Sequence, residues 1–109
     1  MPPDYIRDIV REIERNYREE LTLEYFEKHY HRSKYHILRE FKKHIGVTLN
    51  EYIILTRISH AKELLKYSDM PVSEITFEIG MKNVTHFINL FKAREDMTPL
   101  AYRKAWRGN

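Results

Sequence analysis

The sequence contains no cysteine and few residues that break regular secondary structure. Its 109 residues include 3 glycines and 4 prolines. The absence of thiols excludes disulfide scaffolds, thiolate zinc sites, iron–sulfur clusters and cysteine nucleophiles. So few glycines and prolines leave little room for long loops, and no segment alternates between apolar and polar residues as a half-buried strand does. These absences favour an all-α protein whose helices are joined by short turns.

Long apolar runs are missing as well. No stretch approaches 18 consecutive apolar residues, so we expect neither a membrane span nor a membrane partner. The start, Met-Pro-Pro-Asp-Tyr, lacks the basic and apolar regions of a signal peptide, and the lack of cysteine fits the cytoplasm. We therefore expect a cytoplasmic protein with one modest hydrophobic core.

Residue patterns typical of catalysis or metal binding are not evident. The chain lacks a glycine-rich phosphate loop, a Ser-x-x-Lys motif and an evident pair of catalytic carboxylates. Among the six histidines, His29 and His31 are two positions apart, which places them on different faces of a helix. We expect no enzymatic activity, no cofactor and no metal site.

Positive charge is concentrated in two blocks, although the net charge of the chain is only +3. Residues 31–45 carry five basic side chains against one acidic side chain, and residues 82–109 carry six against two. Clustered positive charge is typical of proteins that bind polyanions, of which nucleic acid is the first candidate. The same blocks are also compatible with two solvated helix faces.

A repeat with a period of 50 residues organises the chain. Residues 22–52 align with residues 72–102 without a gap, and six of the 31 pairs are identical, where composition alone would produce about two. Each copy is predicted to form a short helix, a turn and a longer helix, which is the pattern of a helix-turn-helix DNA-binding unit. The identical pairs are Glu24/Glu74, His36/His86, Phe41/Phe91, Lys42/Lys92, Thr48/Thr98 and Tyr52/Tyr102.

Local signals predict seven helices in a single domain, 1–109. Residues 48–66 contain neither glycine nor proline and carry a broad apolar stripe, so they are predicted to form a helix about 28 Å long that connects two helix-turn-helix subdomains, 1–47 and 67–109. That length predicts that the second helices of the two units, the recognition helices, lie about one duplex turn, near 34 Å, apart. The other predicted helices are 3–18, 21–29, a helix from the Ser33 cap to near Gly46, 72–79, a helix that begins at Asn83 or Thr85, and one from Pro99 through Trp106, with Thr98 as its N-cap.

The motifs of both copies and of the connecting helix resemble the AraC/XylS transcription regulators. The resemblance covers about residues 5–104, in the right order and spacing. Its departures are Asp96, where the family has Gly, Asn89, where it has Arg, and Phe26 and Thr76, where a small Ala is usual. The motifs are Ser33-x-x-His36-Ile37-x-Arg39-x-Phe41-Lys42-x-x-x-Gly46-x-Thr48-x-x-x-Tyr52, Arg57-x-x-x-Ala61-x-x-Leu64-Leu65, Val72-x-Glu74-Ile75-x-x-x-x-Gly80-Met81-x-Asn83-x-Thr85-His86-Phe87-x-x-x-Phe91-Lys92 and Thr98-Pro99-x-x-Tyr102-Arg103.

The resemblance implies sequence-specific binding of double-stranded DNA and regulation of transcription in a bacterial-type system. Members bind DNA as one polypeptide with two helix-turn-helix units, each of which places its second helix in a major groove. Many carry a separate sensing or dimerisation domain, for which this chain has no room. RNA polymerase, or a separate effector or dimerisation domain in the full-length protein, is therefore an expected partner.

Residue chemistry and helix position nominate the DNA contacts. Arg39 is the strongest candidate for reading a base, because a guanidinium donates two hydrogen bonds to guanine, and Asn89 matches adenine in the same way. The candidate base contacts are Lys34, Tyr35, Leu38, Arg39, Val84, Thr85 and Asn89. The candidate phosphate contacts are Arg32, Ser33, Lys42, Lys43, Lys82, Asn83, Lys92, Arg94 and Arg103.

An alternative from another functional class is a helical adaptor whose basic blocks dock an acidic protein. The two hypotheses differ in how they explain the placement of charge. Both basic blocks include the second helix of a repeated unit. DNA recognition accounts for that placement, whereas an adaptor has no reason to copy it at a fixed period.

Overall fold

The computed structural model describes residues 1–108, and these residues form helices without any strand. The all-α prediction and the predicted number of helices are therefore confirmed for this part of the chain. The helices are α1 (Asp4–Asn16), α2 (Leu23–Tyr30), α3 (Lys34–Ile45), α4 (Leu49–Tyr67), α5 (Val72–Glu78), α6 (Val84–Glu95) and α7 (Pro99–Arg107).

The chain divides into two compact units at a point inside α4. The first unit is Met1–Thr56 and the second begins at Arg57. This boundary falls inside residues 48–66, the segment that is predicted to connect the two subdomains. The reason is that the N-terminal half of α4 contributes buried side chains to the first unit, whereas its C-terminal half belongs to the second.

The core of the first unit gathers apolar side chains from all four of its helical segments. In α1, Ile6, Ile9 and Ile13 are fully buried, at the i, i+3, i+7 spacing of one helix face. They pack with Phe26 of α2 and with side chains of α3 and α4. The remaining buried members of this cluster are Ile37, Phe41, Leu49 and Ile53.

The second unit buries side chains at the same spacing. Ile58, Ala61 and Leu65 of α4 are buried at i, i+3 and i+7, so the C-terminal half of α4 repeats the pattern of α1. Helices α5 and α7 both pack on α6. Further buried apolar side chains of this unit are Ile75, Ile79, Phe87, Phe91, Pro99 and Tyr102.

The sequence repeat is reproduced at the ends of the helices. Ser33 and Asn83 cap α3 and α6, and their side chains accept from the backbone N–H groups of His36 and His86 at 3.2 and 2.9 Å. Asn83 rather than Thr85 is thus the cap of α6. Thr48 and Thr98 cap the next helix of each copy in the same way, at 3.0 and 3.1 Å. Local side-chain chemistry therefore begins these four helices at equivalent places.

An aromatic pair packs each recognition helix, α3 or α6, against the helix that follows it. Phe41 packs edge-on against Tyr52 with ring centroids 5.7 Å apart. Phe91 packs against Tyr102 at 5.5 Å, and the interplanar angles are 75° and 76°. The two copies therefore share tertiary packing as well as secondary structure.

Several predicted helix ends shift by one or two residues. Helix α1 spans 4–16 rather than 3–18, and α5 ends at Glu78. Helix α2 begins at Leu23 rather than residue 21, because Thr22 accepts a hydrogen bond from the Tyr25 N–H and is its N-cap. These shifts move no core residue to another face.

Candidate nucleic-acid interface

Helix α3 presents an exposed face opposite its buried residues. Tyr35 is 70% exposed and Leu38 37% exposed, and Arg39 is exposed too, whereas Ile37 and Phe41 are fully buried. An exposed tyrosine and leucine on one helix face leave apolar surface in water, which is typical of a surface that meets a partner.

A carboxylate of α2 holds the start of this helix. Glu27 accepts a hydrogen bond from the backbone N–H of Lys34 at 2.8 Å, in addition to the Ser33 cap. One of the free N–H groups at the helix start is thereby satisfied, and the negative charge favours the positive end of the helix dipole. The turn between the two helices passes through His31, whose φ is 55°. Helix α2 thus orients α3 directly.

Arg39 is held by a neighbour on its own helix. Its Nη2 lies 3.4 Å from Nδ1 of His36, one turn earlier. The His36 ring in turn stacks on Tyr5 of α1, with centroids 6.1 Å apart and an interplanar angle of 22°. Sequence reasoning predicted a base contact for Arg39 but missed this support, because Tyr5 is 31 positions away from His36 in the sequence.

Helix α6 presents the corresponding face of the second unit. Thr85 and Asn89 are exposed and Val84 is half-buried, while Phe87 and Phe91 are fully buried. Asn89 offers one donor and one acceptor where the first unit has a guanidinium. The predicted base contacts of both units therefore lie on one face of each recognition helix.

Most of the predicted phosphate contacts surround these two helices and are exposed. Arg32 lies against Tyr5, with Cζ 4.4 Å from the ring centroid, which fixes its guanidinium near the start of α3. Burial raises the pKa of Tyr5. Arg94 is half-buried. The exposed members of the set are Arg32, Ser33, Lys42, Lys43, Lys82, Asn83 and Lys92.

Arg103, which was predicted to contact phosphate, has a structural role within the protein. Its guanidinium donates to the carbonyl oxygens of Leu65 at 3.0 Å, Ser68 at 3.1 Å and Met70 at 2.8 Å, where α4 ends. These bonds satisfy carbonyl groups that a helix end leaves without partners, and they place a cation at the negative end of the helix dipole. Arg107 adds hydrogen bonds to the same segment. We therefore leave Arg103 out of the phosphate set.

A second structural cluster escaped sequence reasoning. The buried carboxylate of Glu12 in α1 accepts hydrogen bonds from the hydroxyls of Tyr25 and Tyr30, the latter at 2.8 Å. Burial and this carboxylate raise the pKa of Tyr30, and the hydrogen bond to Glu12 raises that of Tyr25. A glutamate on the otherwise apolar inner face of α1 was the one available signal.

The described residues contain no candidate for a metal site or a membrane-spanning helix. No group of three or more His, Asp or Glu side chains in residues 1–108 could hold a metal ion. No helix in that range combines the length and the apolar character that a bilayer-spanning segment needs.

Comparison with known proteins adds a family to this geometry. A family model described as a helix-turn-helix domain matches residues 27–105. The bifunctional transcriptional activator/DNA repair enzyme AdaA of Bacillus subtilis is 38% identical over 105 residues, which cover 95% of this chain and 50% of AdaA. The chain thus spans about half the length of that relative.

Solved structures are similar over nearly the whole fold. The C-terminal domain of the two-component response regulator yesN from Fusobacterium nucleatum has a TM-score of 0.85 and 30% identity, over 89% of this chain and 95% of that domain. The DNA-binding domain of AdpA, solved in complex with a target DNA, has a TM-score of 0.91 and 24% identity, over 97% and 96%. The match of the family model over most of the chain decides the assignment. The chain belongs to the AraC-type helix-turn-helix family and is a DNA-binding domain of the kind found in bacterial transcription regulators.

Proposed function

We propose that this domain binds an asymmetric duplex DNA site by inserting α3 and α6 into successive major grooves, and that it regulates transcription in this way. The observation that carries the proposal is the repeated exposed face of the two helices. In each unit the face opposite the buried phenylalanines displays groups that recognise base edges, next to exposed basic residues.

The two helices have different base preferences in this proposal. Arg39 donates to O6 and N7 of guanine, and Asn89 pairs with N6 and N7 of adenine. Tyr35, Leu38 and Val84 supply apolar contact with thymine methyl groups, while Lys34 and Thr85 complete the polar contacts. Because Arg39 and Asn89 differ, the two half-sites differ in sequence.

The basic residues around the helices provide affinity without sequence preference. We assign phosphate contact to the exposed set and to Arg94. Ser33 and Asn83 remain in the set because they stand at the helix starts, where backbone N–H groups favour an anion. Each cation that neutralises a phosphate releases counterions, so binding weakens as salt rises.

The wider setting follows from the family. A regulator that binds the chromosome of a bacterial cell works in the cytoplasm, and we assign no catalytic role to this domain. RNA polymerase and a separate effector or dimerisation domain remain predicted partners of the full-length protein. Membership of the AraC-type family disfavours the adaptor alternative, because AraC-type domains are DNA-binding domains.

Selection from a random duplex pool followed by footprinting tests the proposal. A single chain should protect two adjacent major grooves on one face of the duplex, over an asymmetric site of about 20 base pairs. A short palindromic site that requires two chains, or protection of one groove only, contradicts it.

Salt dependence provides an independent check on the phosphate contacts. The logarithm of affinity should fall with the logarithm of salt concentration by about 0.9 per phosphate contact, so several contacts give a steep slope. Lys43→Ala should weaken binding to all duplexes alike and make the slope shallower by about 1. A nearly flat dependence between low and physiological salt argues against DNA as the partner.

A further inference from the structure

A series of contacts leads from the N-terminal helix to the proposed base-reading arginine. The guanidinium of Arg32 lies over the Tyr5 ring of α1, with Cζ 4.4 Å from the ring centroid. The His36 ring stacks on the same tyrosine, with ring centroids 6.1 Å apart. Nδ1 of His36 lies 3.4 Å from Nη2 of Arg39. Two cations assigned to DNA contact are therefore attached to one aromatic pair.

The chemistry of the last contact limits the roles of the two side chains. Because a guanidinium has no acceptor, a hydrogen bond at this contact requires Arg39 to donate and Nδ1 of His36 to accept. One amino group of Arg39 is thereby oriented along the helix surface, and other N–H groups of the guanidinium stay free for a base. Stacking on Tyr5 fixes the plane of the imidazole and hence the direction of its lone pair.

An exposed arginine without such support samples many rotamers and loses that freedom when it binds. A guanidinium that is already oriented discriminates better between guanine and another base, since its two donors must meet O6 and N7 together. The charged groups around this stack are Arg32, Arg39 and Glu40, and all three act on the Tyr5 hydroxyl.

We propose that His36, stacked on Tyr5, is a positioning residue that orients Arg39 for guanine recognition. The proposal rests on the proposed function, in which Arg39 reads a base. It gives α1, which precedes the helix-turn-helix proper, a part in sequence discrimination.

The repeat offers a matched control. His86 occupies the equivalent position in α6, but the residue three positions later is Asn89 rather than an arginine. A substitution at His86 therefore alters an equivalent histidine of the other recognition helix without touching Arg39.

The experiment measures, for the complete chain, the ratio of affinities for the preferred site and for a site with the Arg39 guanine replaced. His36→Phe keeps an aromatic ring for Tyr5 and removes the acceptor, and it should reduce this ratio about three- to tenfold, a part of what a bidentate contact supplies. His36→Gln restores an acceptor one helical turn from Arg39 and should recover most of the ratio. His86→Phe should leave the ratio unchanged.

Arg39→Ala separates the two proposals. In that background His36→Phe should have no further effect on the ratio. If Arg39→Ala lowers the ratio while His36→Phe alone does not, the positioning role is wrong and the base-reading role stands. If Arg39→Ala leaves the ratio unchanged, both are wrong. His36→Phe could also lower the ratio without recovery by His36→Gln, while affinity for random duplex falls equally. That result would show that the histidine acts on folding alone, and it would overturn the proposal.

Discussion

The two units build the same helix-turn-helix but attach a flanking helix with opposite charges: the preceding helix in the first unit and the following helix in the second. In the first unit, α1 supplies carboxylates: Glu12 accepts from Tyr25 and Tyr30, and Glu14 accepts from Tyr52 at 3.0 Å. In the second unit, α7 supplies Arg103 and Arg107. Their guanidinium groups donate to backbone carbonyl oxygens in the last turn of α4 and just after it. The recognition element is thus specified by its own caps and aromatic pair, while the attachment of its neighbour varies.

The units also differ at positions that we propose to contact DNA and at positions that support them. Glu27 caps the start of α3, whereas the aligned residue in the second unit is Phe77, which is 59% exposed. Arg39 aligns with Asn89. The first recognition helix therefore carries both the stronger base donor and the larger set of supporting contacts, and we expect it to contribute more of the sequence discrimination.

The largest expected effect on stability comes from the arginine side of this comparison. Arg103→Ala leaves several carbonyl groups at the end of α4 without their donor and should lower the free energy of unfolding by about 2–3 kcal/mol. Arg103→Lys should recover only part of this, since an ammonium lacks the planar fork. Urea unfolding monitored by the single tryptophan, Trp106 in α7, measures it. Lys104→Ala is the exposed control, and equal small losses for both variants would falsify the role of Arg103.

The carboxylate side should show a smaller effect. Glu12→Ala removes the acceptor of two tyrosine hydroxyls and should cost about 1–2 kcal/mol of stability. Glu14→Ala, at an exposed carboxylate with one tyrosine partner, should cost less than about 0.5 kcal/mol. Thermal unfolding followed by circular dichroism compares the two variants. If they are equally stable, burial of Glu12 has no energetic consequence.

A pair of substitutions at equivalent helix ends should act with opposite signs. Gly46 and Asp96 end α3 and α6 with φ values of 92° and 62°, and both donate to the carbonyl four residues earlier at 2.9 Å. Gly46→Ala forces a side chain into the left-handed region and should destabilise by about 1 kcal/mol, although space is open around it. Asp96→Gly should stabilise by about 0.5–1 kcal/mol. Chemical unfolding of both variants tests this, and a destabilising Asp96→Gly contradicts the account.

Alkaline pH should affect the first unit through its tyrosines. Burial and their carboxylate partners raise the pKa values of Tyr30 and Tyr52, and the hydrogen bond to Glu12 raises that of Tyr25. A pKa that is higher in the folded state stabilises the fold at pH values below about 10, where a free tyrosine is neutral, and this contribution is lost as pH rises further. Stability should therefore fall progressively as pH rises above about 10. The stability of the double variant Tyr25→Phe/Tyr30→Phe should fall less over this pH range than that of the wild type. An equal fall in the two proteins would rule out these tyrosines as the cause.

The parts of this fold that sequence reasoning reached are those with local causes. Ser33 and Thr98, both predicted as N-caps, begin helices by accepting from backbone N–H groups three residues further on. The exposed faces of α3 and α6 followed from helical periodicity alone. These features need no knowledge of residues far away in the chain.

The parts that sequence reasoning missed depend on contacts between distant residues. Arg103 looked like any surface cation, because the carbonyl groups it binds lie 33 to 39 positions earlier. The support of Arg39 by His36 and Tyr5 also joins separate helices. A basic residue in a basic block is therefore a weak predictor of phosphate contact until its intramolecular partners are known.

Base preference in the two half-sites provides the most direct test of the central claim, which is that one chain reads DNA with two unlike recognition helices. Binding of wild type, Arg39→Ala and Asn89→Ala should be measured against every single-base variant of the selected site. Arg39→Ala should weaken the preference for a guanine in one half-site by about 1–3 kcal/mol, and Asn89→Ala should weaken the preference for an adenine in the other. The account is contradicted if both substitutions weaken base preference in the same half-site, or if neither substitution weakens it.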